Sequence, residues 1–425
     1  MTLLATVVRG THDILPAEIG RWQELESRIR KHCSLYGYKE IRTPIFEYTE
    51  LFLRGIGETT DVVEKEMYTF EDRAGRSMTL RPECTASTVR SYLEHKMYGE
   101  PNQPTKLYYI GPMFRYDKPQ AGRYRQFHQF GIEAIGSHHA ATDAEIISLA
   151  YEFFVDLGLT DLNLYINSVG CPSCRPNYQE KLKEFFVPHK EKICKECLSR
   201  LERNPLRLLD CKNKNCQNIS VDAPKLLDHL CDECNSHFDK VRSLLTANQI
   251  SYTINTRLVR GLDYYTKTAF EIQYAQLGAQ SAICGGGRYD GLIEECGGDS
   301  IPGIGFAMGI ERILIALDQQ NLLQESDTNT KVFVMPLAEE AESKCFEILQ
   351  KLRKSGISAE MDLMSRGVKG QMKQANRLGV HWAILLGEDE LSQNTITCKN
   401  MVQGEQCVVK MVDFEKWIEN LREEE

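Results

Sequence analysis

The sequence has no apolar run that approaches the roughly 18 residues needed to cross a lipid bilayer. Its first ten residues, MTLLATVVRG, lack a basic residue ahead of the apolar stretch and an A-x-A cleavage pattern, which predicts an uncleaved, cytoplasmic protein without a membrane partner. Positive charge is not in excess, because the net charge at pH 7 is −9. A protein that coats nucleic acid is therefore excluded, and any nucleic-acid contact must use a locally basic surface.

Signatures of several nucleotide-binding and catalytic classes are also missing. Gly285–Gly287 do not fit the P-loop pattern G-x-x-x-x-G-K-[ST], and GIGFAMG at 303–309 departs by one position from the G-x-G-x-x-G of dinucleotide-binding folds. We find no Ser/His/Asp or Cys/His signature of nucleophilic catalysis. Internal repeats and low-complexity tracts are absent too, so repetitive and disordered chains are excluded.

What is present is the composition of a globular enzyme or binding protein. The 425 residues are 42% hydrophobic and 26% charged. That length predicts about two to four domains. The fifteen cysteines are an odd number in a chain without a secretory signal, which favours reduced thiols or metal ligands over a disulfide framework.

Hydrophobic periodicity predicts two differently organised regions on either side of a polar linker at 319–330. The elements predicted before the linker are a helix at 17–36, a strand at 39–46, an antiparallel hairpin of strands 107–117 and 127–136, a half-buried strand at 268–274, and a strand–helix unit at 303–317. The elements predicted after it are strand KVFVMPL, helix 338–354, strand 357–363, helix 366–378 and strand HWAILLG. Such alternation is typical of an α/β domain with a mostly parallel sheet.

The predicted hairpin carries polar side chains on one face. Gln129, Gly131 and Glu133 point the same way because alternate residues of a strand share a face. The glycine between two polar groups leaves room for a small ligand on the sheet. Arg115 ends the partner strand and Arg123 lies in the tip. A solvated sheet face with a basic turn is the alternative interpretation.

The stretch TLRPECTAS (79–87) predicts the start of a helix. Pro82 suits the first helical position, so Glu83 falls in the first turn. A carboxylate there is a favourable partner for the helix dipole. The alternative is that Glu83 and Thr85 accept hydrogen bonds from a ligand ammonium group.

The stretch LVRGLDYYTK (258–267) places two tyrosines next to each other ahead of a strand. In an extended chain Tyr264 and Tyr265 would point to opposite faces, so we expect one in the core and the other in a pocket. The three glycines at 285–287 permit positive φ and close backbone approach.

Arginines from three distant stretches could face a polyphosphate. Arg115, Arg260 and Arg312 are the candidates. Arg312 lies about 200° around its helix from Ile310, away from the apolar stripe and near a helix N-terminus, where it could grip a phosphate. As single residues, these arginines are equally consistent with an ordinary protein surface.

Together these stretches resemble one family, the histidyl-tRNA synthetases. The motifs that match in order and spacing, over essentially the whole chain, are RGTHDILP (9–16), RPECTAS, GPMFRYDKPQAGRYRQFHQFGIEAIG (111–136), LVRGLDYY, GGGRYDGL (285–292) and GIGFAMGIERIL. The resemblance implies an α+β class II synthetase fold, with an antiparallel sheet flanked by helices. The domains it implies are a catalytic domain in two parts at 1–170 and 241–325, a cysteine-rich insertion domain at 171–240, and an α/β anticodon-binding domain at 331–425.

The resemblance also implies substrates and residue roles. It implies that L-histidine is joined to its tRNA through histidyl-adenylate, with ATP and Mg²⁺, by a cytoplasmic homodimer. The residues expected at ATP are Arg115 and Arg260 at the α-phosphate, where both are catalytic, Arg312 at the γ-phosphate, and Arg123. The residues expected around histidine are Glu83, Thr85 and Gln129 at the ammonium group, Glu133 and Tyr265 at the imidazole, and Tyr264 and Tyr289 along the pocket.

Contacts with tRNA are expected on locally basic surfaces. Residues 181–214 hold ten Lys and Arg against five Asp and Glu, and residues 351–377 hold seven against two. The resemblance places the first over the acceptor arm and the second in the anticodon-binding domain. It also brings the hairpin tip, with Lys118, Gln120 and Arg125, to the acceptor end. A solvated helix face is the alternative for each basic segment.

Two other functions are weighed against this one. A regulatory subunit of ATP phosphoribosyltransferase shares the catalytic fold, but the complete arginine set and residues 331–425 argue against it. A class II synthetase for another amino acid is disfavoured by LVRGLDYY.

Eight of the fifteen cysteines lie close together in the sequence. They are Cys171, Cys174, Cys194, Cys197, Cys211, Cys216, Cys231 and Cys234. Three C-x₂-C pairs within 64 residues predict structural Zn²⁺. Two four-cysteine sites could form, although the order of the cysteines leaves their pairing open. Because many relatives lack these cysteines, we expect a role in folding rather than in the chemistry. Buried, reduced cysteines are the alternative.

Overall fold

The chain divides into two compact units in the computed structural model, which describes residues 5–57, 60, 62–323 and 330–423. The units are Met1–Glu325 and Ser326–Glu425, and each has its own hydrophobic core. Residues 324–329 of the predicted linker lie outside the described residues, and its first residue, Gln319, ends a helix. None of the described helices is long and apolar enough to pass through a bilayer.

The first unit combines a large sheet and a small sheet with helices. Its strands are β1 (Lys39–Glu40), β2 (Phe46–Tyr48), β3 (Tyr68–Glu71), β4 (Ser77–Leu80), β5 (Thr105–Phe114), β6 (Gln126–Ile135), β7 (Leu162–Ser168), β8 (Thr253–Ile254), β9 (Thr266–Tyr274), β10 (Ala282–Arg288) and β11 (Gly303–Gly309). Its helices are α1 (Pro16–Leu35), α2 (Thr49–Ile56), α3 (Thr85–Glu94), α4 (Ala140–Asp156), α5 (Arg175–Phe186), α6 (Lys195–Arg203), α7 (Lys214–Ser220), α8 (Asp232–Ala247), α9 (Leu292–Glu295) and α10 (Ile310–Gln319).

The large sheet is antiparallel through its centre. Within the described ranges it has eight strands in the order β1-β5-β6-β11-β10-β9-β7-β8. The pairs from β5 to β7 are antiparallel, whereas the outer pairs β1–β5 and β7–β8 are parallel. The predicted hairpin is confirmed as β5 and β6, and the predicted class II antiparallel sheet is confirmed with it.

Helices α1, α4, α8 and α10 form one core with the large sheet. Helix α1 begins at Pro16, where the missing N–H and the fixed φ of proline are tolerated. It buries Trp22, Leu25, Ile29 and Cys33 at helical spacing. A second cluster of buried side chains joins α3 and α9 to the cysteine-rich segment and to the tyrosines of LVRGLDYY and GGGRYDGL.

Two predicted strands differ from the structure. The strand predicted at 39–46 is wrong, because β1 ends at Glu40 and the chain re-enters a separate three-stranded sheet at Phe46. Arg81 holds the intervening segment by donating from Nη1 to the Thr43 carbonyl at 3.0 Å. Strand β9 is buried along most of its length rather than half-buried, because it lies inside the sheet.

The second unit is an α/β domain. Its strands are β12 (Val332–Pro336), β13 (Ala359–Met361), β14 (Trp382–Leu386), β15 (Thr395–Asn400) and β16 (Gln406–Lys410). Its helices are α11 (Glu342–Lys354), α12 (Val368–Leu378), α13 (Glu388–Gln393) and α14 (Phe414–Glu423). The sheet order is β13-β12-β14-β15-β16.

The predicted mostly parallel sheet of this unit is wrong for its second half. Strands β13, β12 and β14 are parallel, but β14, β15 and β16 pair antiparallel. The predicted strand 357–363 is also shorter. It stops at Met361 because Asp362 accepts hydrogen bonds from the backbone N–H groups of Met364 and Arg366, which starts a loop.

Candidate active site

A cavity of about 310 Å³ lies where β6, β10 and β11 meet the hairpin tip and the cysteine-rich segment. We call it the cationic cavity. The cations that line it are Arg115, Arg123, Lys212, Arg260 and Arg312. The structure thus brings together the arginines that the sequence predicted to face a polyphosphate.

Arg115 and Arg123 come from the two ends of the hairpin tip. Arg115 follows β5, donates from Nε to the Pro82 carbonyl at 2.8 Å, and lies over the ring of Phe127. Arg123 is paired with Asp117 in the tip. These contacts fix the positions of both side chains, and both residues line the cavity.

Arg260 is held from several sides. Its Nη1 donates to Glu271 Oε2 at 2.7 Å, and its guanidinium lies 6.0 Å from the ring centre of Tyr265. Burial works against its charge, yet Tyr265 and Glu271 raise its pKa. Its Nε is buried and has no hydrogen-bond partner among the described residues. Such a donor is ready for an anionic ligand.

Arg312 lies in the first turn of α10 and reaches back to two carbonyls. Its Nε donates to Gly122 at 3.2 Å and its Nη1 to Ala282 at 2.6 Å. Burial and the positive charge of Arg123 lower its pKa. Two cations this close repel each other, and a bound polyanion would relieve that repulsion.

The three glycines at 285–287 form part of strand β10 and not a turn. None of the three has the positive φ that their sequence suggested. They are needed for close approach instead. A side chain at Gly285 would overlap the Arg260 guanidinium, and one at Gly287 would press on the ring of Tyr265.

A cluster of buried carboxylates and hydroxyl groups adjoins the cationic cavity. We call it the carboxylate cluster, and its members are Glu83, Thr85, Glu133, Tyr264, Tyr265 and Tyr289, all buried. Arg115 connects the two sites, because it donates to the carbonyl of Pro82 and its charge opposes the rise that burial causes in the pKa of Glu83. Arg260 connects them through Tyr265.

Glu83 lies before the helix rather than in its first turn, because α3 begins at Thr85. Its carboxylate accepts from the backbone N–H of Thr85 at 2.7 Å and of Ala86 at 3.0 Å. Burial raises its pKa, and these two hydrogen bonds oppose that rise. The predicted position in the first turn is therefore wrong, but the carboxylate does contact the N-terminus of α3, where it suits the helix dipole. The residue remains a candidate for binding an ammonium group.

Glu133 is the centre of the carboxylate cluster. It accepts from Thr85 Oγ1 at 2.7 Å, from Tyr289 OH at 2.6 Å and from Tyr109 OH at 3.4 Å. Burial raises its pKa to about 8, and the neighbouring charge of Glu83 adds to the rise. Two buried carboxylates favour a cationic or N–H-donating ligand between them.

The two adjacent tyrosines do not point to opposite faces. Residues 261–264 form a bend and a turn rather than an extended chain, and the rings of Tyr264 and Tyr265 lie 4.6 Å apart. Both are buried in the carboxylate cluster. The expectation that the two side chains point to opposite faces is therefore wrong, although Tyr265 does line a cavity of about 270 Å³.

Gly131 makes room for protein rather than for ligand. It pairs with Tyr109 across β5 and β6, and the Tyr109 ring lies over the space that its side chain would fill. Gln129, two residues earlier, lines the cationic cavity. Its Oε1 is buried without a hydrogen-bond partner in the part of the chain that is described, so it can accept from a ligand.

The hairpin tip is folded on itself beside the N-terminal segment. Gln120 and Arg123 exchange backbone hydrogen bonds. Arg125 lies 3.9 Å from the ring centre of Tyr116, and its backbone N donates to the Gly10 carbonyl at 2.7 Å. Lys118 and Gln120 are exposed, whereas Arg125 is partly buried. Their predicted contact with tRNA remains a proposal.

The eight clustered cysteines resolve into two groups of four. The outer cluster joins Cys171 and Cys174 to Cys231 and Cys234, and the inner cluster joins Cys194 and Cys197 to Cys211 and Cys216, with the Sγ atoms of each cluster within 4.8 Å of one another. The Sγ atom of Cys171 lies 3.6 Å from the Sγ of Cys174 and 3.9 Å from the Sγ of Cys231. A tetrahedral Zn–S₄ site with bonds of about 2.3 Å needs an S–S edge of about 3.8 Å, so both groups fit zinc.

Backbone N–H groups donate to sulfur atoms in both cysteine clusters. Cys231 N donates to Cys174 Sγ at 3.1 Å, and Cys194 N donates to Cys216 Sγ at 3.2 Å. Burial opposes ionisation of Cys171, but backbone N–H groups lower its pKa to about 6. A thiolate is the form that binds metal.

Several residues at the site were not found from the sequence. Tyr109 contacts Glu133 across the β5–β6 pair, and Glu271 of β9 contacts Arg260. Lys212 enters the cavity from the cysteine-rich segment. The strand register would have pointed to Tyr109, which lies opposite Gly131. Arg288 is a structural residue, since it is buried in an ion pair with Asp143.

Comparison with known proteins identifies the family. A family profile described as "Histidyl-tRNA synthetase" matches residues 10–313, and one described as "Anticodon binding domain" matches 331–421. The protein named "Histidine--tRNA ligase" from Desulforamulus reducens is 55% identical over 409 residues, which is 96% of this chain and 97% of the relative. Its namesake from Pelotomaculum thermopropionicum is 54% identical over 409 residues, 96% of each.

The chain belongs to the histidyl-tRNA synthetase family. The crystal structure of apo S. aureus histidyl-tRNA synthetase superposes on it with a TM-score of 0.83 at 42% identity and covers 98% of this chain and 100% of that one. The predicted family, class II fold and anticodon-binding domain are therefore confirmed. Within this family, the cationic cavity and the carboxylate cluster are the candidate sites for two different substrates.

Proposed function

We propose that the chain joins L-histidine to its tRNA in two steps, using ATP and releasing AMP and pyrophosphate. The observation that carries the proposal is that the cationic cavity and the carboxylate cluster share one face of β6. Gln129 lines the first and Glu133 belongs to the second, roughly 13 Å apart at about 3.3 Å per residue. Histidine and the α-phosphate of ATP can therefore meet between them.

ATP occupies the cationic cavity in this proposal. Arg115 and Arg260 bind the α-phosphate, Arg312 binds the γ-phosphate, and Arg123 assists. The convergence of these side chains on one cavity supports the assignment. Mg²⁺ accompanies the phosphates, which commonly supply most of its ligands other than water. Glu271 and Glu311 are less suited to hold it, because they already bind Arg260 and His128.

Histidine occupies the carboxylate cluster. Glu83, Thr85 and Gln129 surround its ammonium group, and the unpartnered Gln129 Oε1 supports this role. Glu133 and Tyr265 bind the two imidazole nitrogens, beside Tyr264 and Tyr289. Imidazole offers one hydrogen-bond donor and one acceptor on opposite sides of the ring. A carboxylate can accept from the first and a phenol can donate to the second. Buried polar groups discriminate strongly against side chains that leave them unpaired.

The chemistry is two nucleophilic transfers. A carboxylate oxygen of histidine attacks the α-phosphorus of ATP, the bond to the bridging oxygen breaks, and histidyl-adenylate and pyrophosphate form. Arg260 and Arg115 stabilise the negative charge that develops on the α-phosphate oxygens. A terminal ribose hydroxyl of tRNA then attacks the histidyl carbonyl, and AMP leaves. Positioning and charge stabilisation are sufficient, so no covalent enzyme intermediate is needed.

The remaining assignments follow the family. We place the catalytic domain at 1–170 and 241–325, the insertion at 171–240 and the anticodon-binding domain at 331–425. The tRNA acceptor end meets 181–214 and the hairpin tip with Lys118, Gln120 and Arg125. The chain works as a cytoplasmic homodimer. Free thiols throughout the described residues support a reducing compartment.

The two cysteine clusters bind one Zn²⁺ each in this proposal. Zinc would crosslink the short helices of the insertion and so stabilise it. Metal analysis of the purified full-length protein is expected to give two zinc ions per chain. Replacing Cys194 by Ser should remove one of them and lower the melting temperature. Protein purified without zinc that keeps its fold in a chelator would contradict the proposal.

Pyrophosphate exchange across the amino acids tests the proposed function. The protein should incorporate labelled pyrophosphate into ATP when histidine is present and not with any other standard amino acid, because Glu133 and Tyr265 read both ring nitrogens. Transfer to tRNA is then measured with labelled histidine. Exchange with another amino acid, or with none, would overturn the proposal.

A further inference from the structure

Lys212 lines the cationic cavity although it belongs to the cysteine-rich segment. It does so together with Arg260 and Arg312. It also lines a neighbouring polar cavity of about 640 Å³, which shares Arg312 and Ala282 with the first. The side chain is exposed, so its ammonium group is open to a ligand. Lysine contacts phosphate as a mobile point charge.

The backbone on both sides of Lys212 is fixed. Cys211 precedes it and is a member of the inner cluster. Asn213 follows it, donates from its backbone N to Cys211 Sγ at 3.4 Å, and caps α7 by accepting from Asn215 N at 3.0 Å. The inner cluster therefore sets where the lysine leaves the chain, while the long side chain stays free to follow a ligand.

Hydrogen bonds tie this segment to the loop that carries Arg260. Arg207 is buried and donates from Nη1 to the Gly261 carbonyl at 3.0 Å. Asn204 donates from Nδ2 to Asp263 Oδ1 at 2.9 Å. These two hydrogen bonds, at Gly261 and at Asp263, fix the cysteine-rich segment that carries Lys212 against the loop that carries Arg260.

The charges that line the cationic cavity are unbalanced. Its five cations are Arg115, Arg123, Lys212, Arg260 and Arg312, and its two carboxylates are Asp117 and Glu311. The excess of positive charge suits a ligand with several negative charges, such as a triphosphate or pyrophosphate.

We propose that Lys212 binds the β- and γ-phosphates of ATP, and pyrophosphate in the reverse direction, as a cation that the cysteine-rich segment adds to the site. The proposal rests on the proposed ATP-binding role of the cationic cavity. We assign Lys212 to the β- and γ-phosphates because it lines the same two cavities as Arg312, the residue expected at the γ-phosphate. The insertion then contributes to substrate binding as well as to folding.

Substitution of Lys212 in the full-length protein tests this. Lys212→Ala should raise the KM for ATP at least fivefold in histidine-dependent exchange and leave the KM for histidine within twofold. Lys212→Arg should keep the KM for ATP within about threefold of the parent. Lys225→Ala removes another exposed lysine of the same segment and should change neither constant. Unchanged zinc content would show that the inner cluster is intact.

Equilibrium binding separates this proposal from the proposed function. Titration with a fluorescent, non-hydrolysable ATP analogue needs no turnover, so it reports on Lys212 even if the parent shows no exchange. Lys212→Ala should weaken that analogue at least fivefold and leave AMP unaffected. An analogue affinity within twofold of the parent, equal weakening of AMP, or an effect confined to the KM for tRNA would overturn the role given to Lys212.

Discussion

Replacing Arg260 by histidine is expected to slow histidine-dependent pyrophosphate exchange about a thousandfold or more, roughly 4 kcal/mol of transition-state stabilisation. The guanidinium is fixed by Glu271 and Tyr265, and its unpartnered Nε lies beside the cationic cavity. A cation held this way needs no reorganisation when charge develops on the α-phosphate. The shorter imidazole cannot keep both the Glu271 contact and the phosphate contact.

The variant must remain folded for this result to count. Gly285 leaves room for the larger arginine, so histidine fits without overlap, and we expect little change in the melting temperature. Arg73→His, at an exposed turn, is the matched control and should exchange at the parent rate. Exchange by Arg260→His within about tenfold of the parent, a loss under roughly 1.4 kcal/mol, would contradict the catalytic role of Arg260.

Replacing Glu133 by glutamine is expected to raise the KM for histidine about a hundredfold, roughly 3 kcal/mol. Glu133 already accepts hydrogen bonds from Thr85 and Tyr289. A carboxylate has acceptor sites left for an N–H group of the ligand. The glutamine amide offers a donor in place of one acceptor and has no charge. Exchange measured at several histidine concentrations gives the KM.

The pH dependence of the parent provides a second measurement. Because burial raises the pKa of Glu133 to about 8, the carboxylate ionises as the pH rises through that value. The KM for histidine should therefore fall between about pH 6.5 and 8.5 in the parent. In Glu133→Gln this fall should be lost. Glu419→Gln, at an exposed position of α14, should behave as the parent does.

The thermal stability of Glu133→Gln shows whether a higher KM comes from a lost contact with histidine or from unfolding. Folded Glu133 holds its proton above the ordinary carboxyl pKa of 4.5, so the free energy of unfolding decreases as the pH rises from there toward 8. Glutamine removes that decrease. The variant should melt no lower than the parent at pH 8. A KM for histidine within threefold of the parent in a folded variant would contradict the imidazole-binding role.

The sequence was informative where a property depends on local pattern or on the family motif. The hairpin of β5 and β6, helix α1 and the unit of β11 and α10 follow from periodicity and breaker residues. The arginines of the cationic cavity could be named because each lies in a motif of the family. Their convergence depends on the order of strands in the sheet, which a single sequence does not contain.

The features that the sequence did not predict depend on contacts between distant parts of the chain and on turns. The position of Tyr109 over Gly131 depends on the strand register. The contact between Tyr264 and Tyr265 depends on a turn in the preceding residues, which the pattern did not indicate. The pairing of the cysteines follows from how α5 to α8 fold back on one another, so their order could not reveal it, and Lys212 was overlooked for the same reason.

A crystal structure with L-histidine and a non-hydrolysable ATP analogue would test most directly whether the two candidate sites form one two-substrate centre. We expect the triphosphate within about 3.2 Å of Arg115, Arg260 and Arg312, and the imidazole at Glu133, with the amino-acid carboxylate facing the α-phosphate. A nucleotide bound outside the cavity, or a histidine whose carboxylate points away from the α-phosphate, would contradict this account.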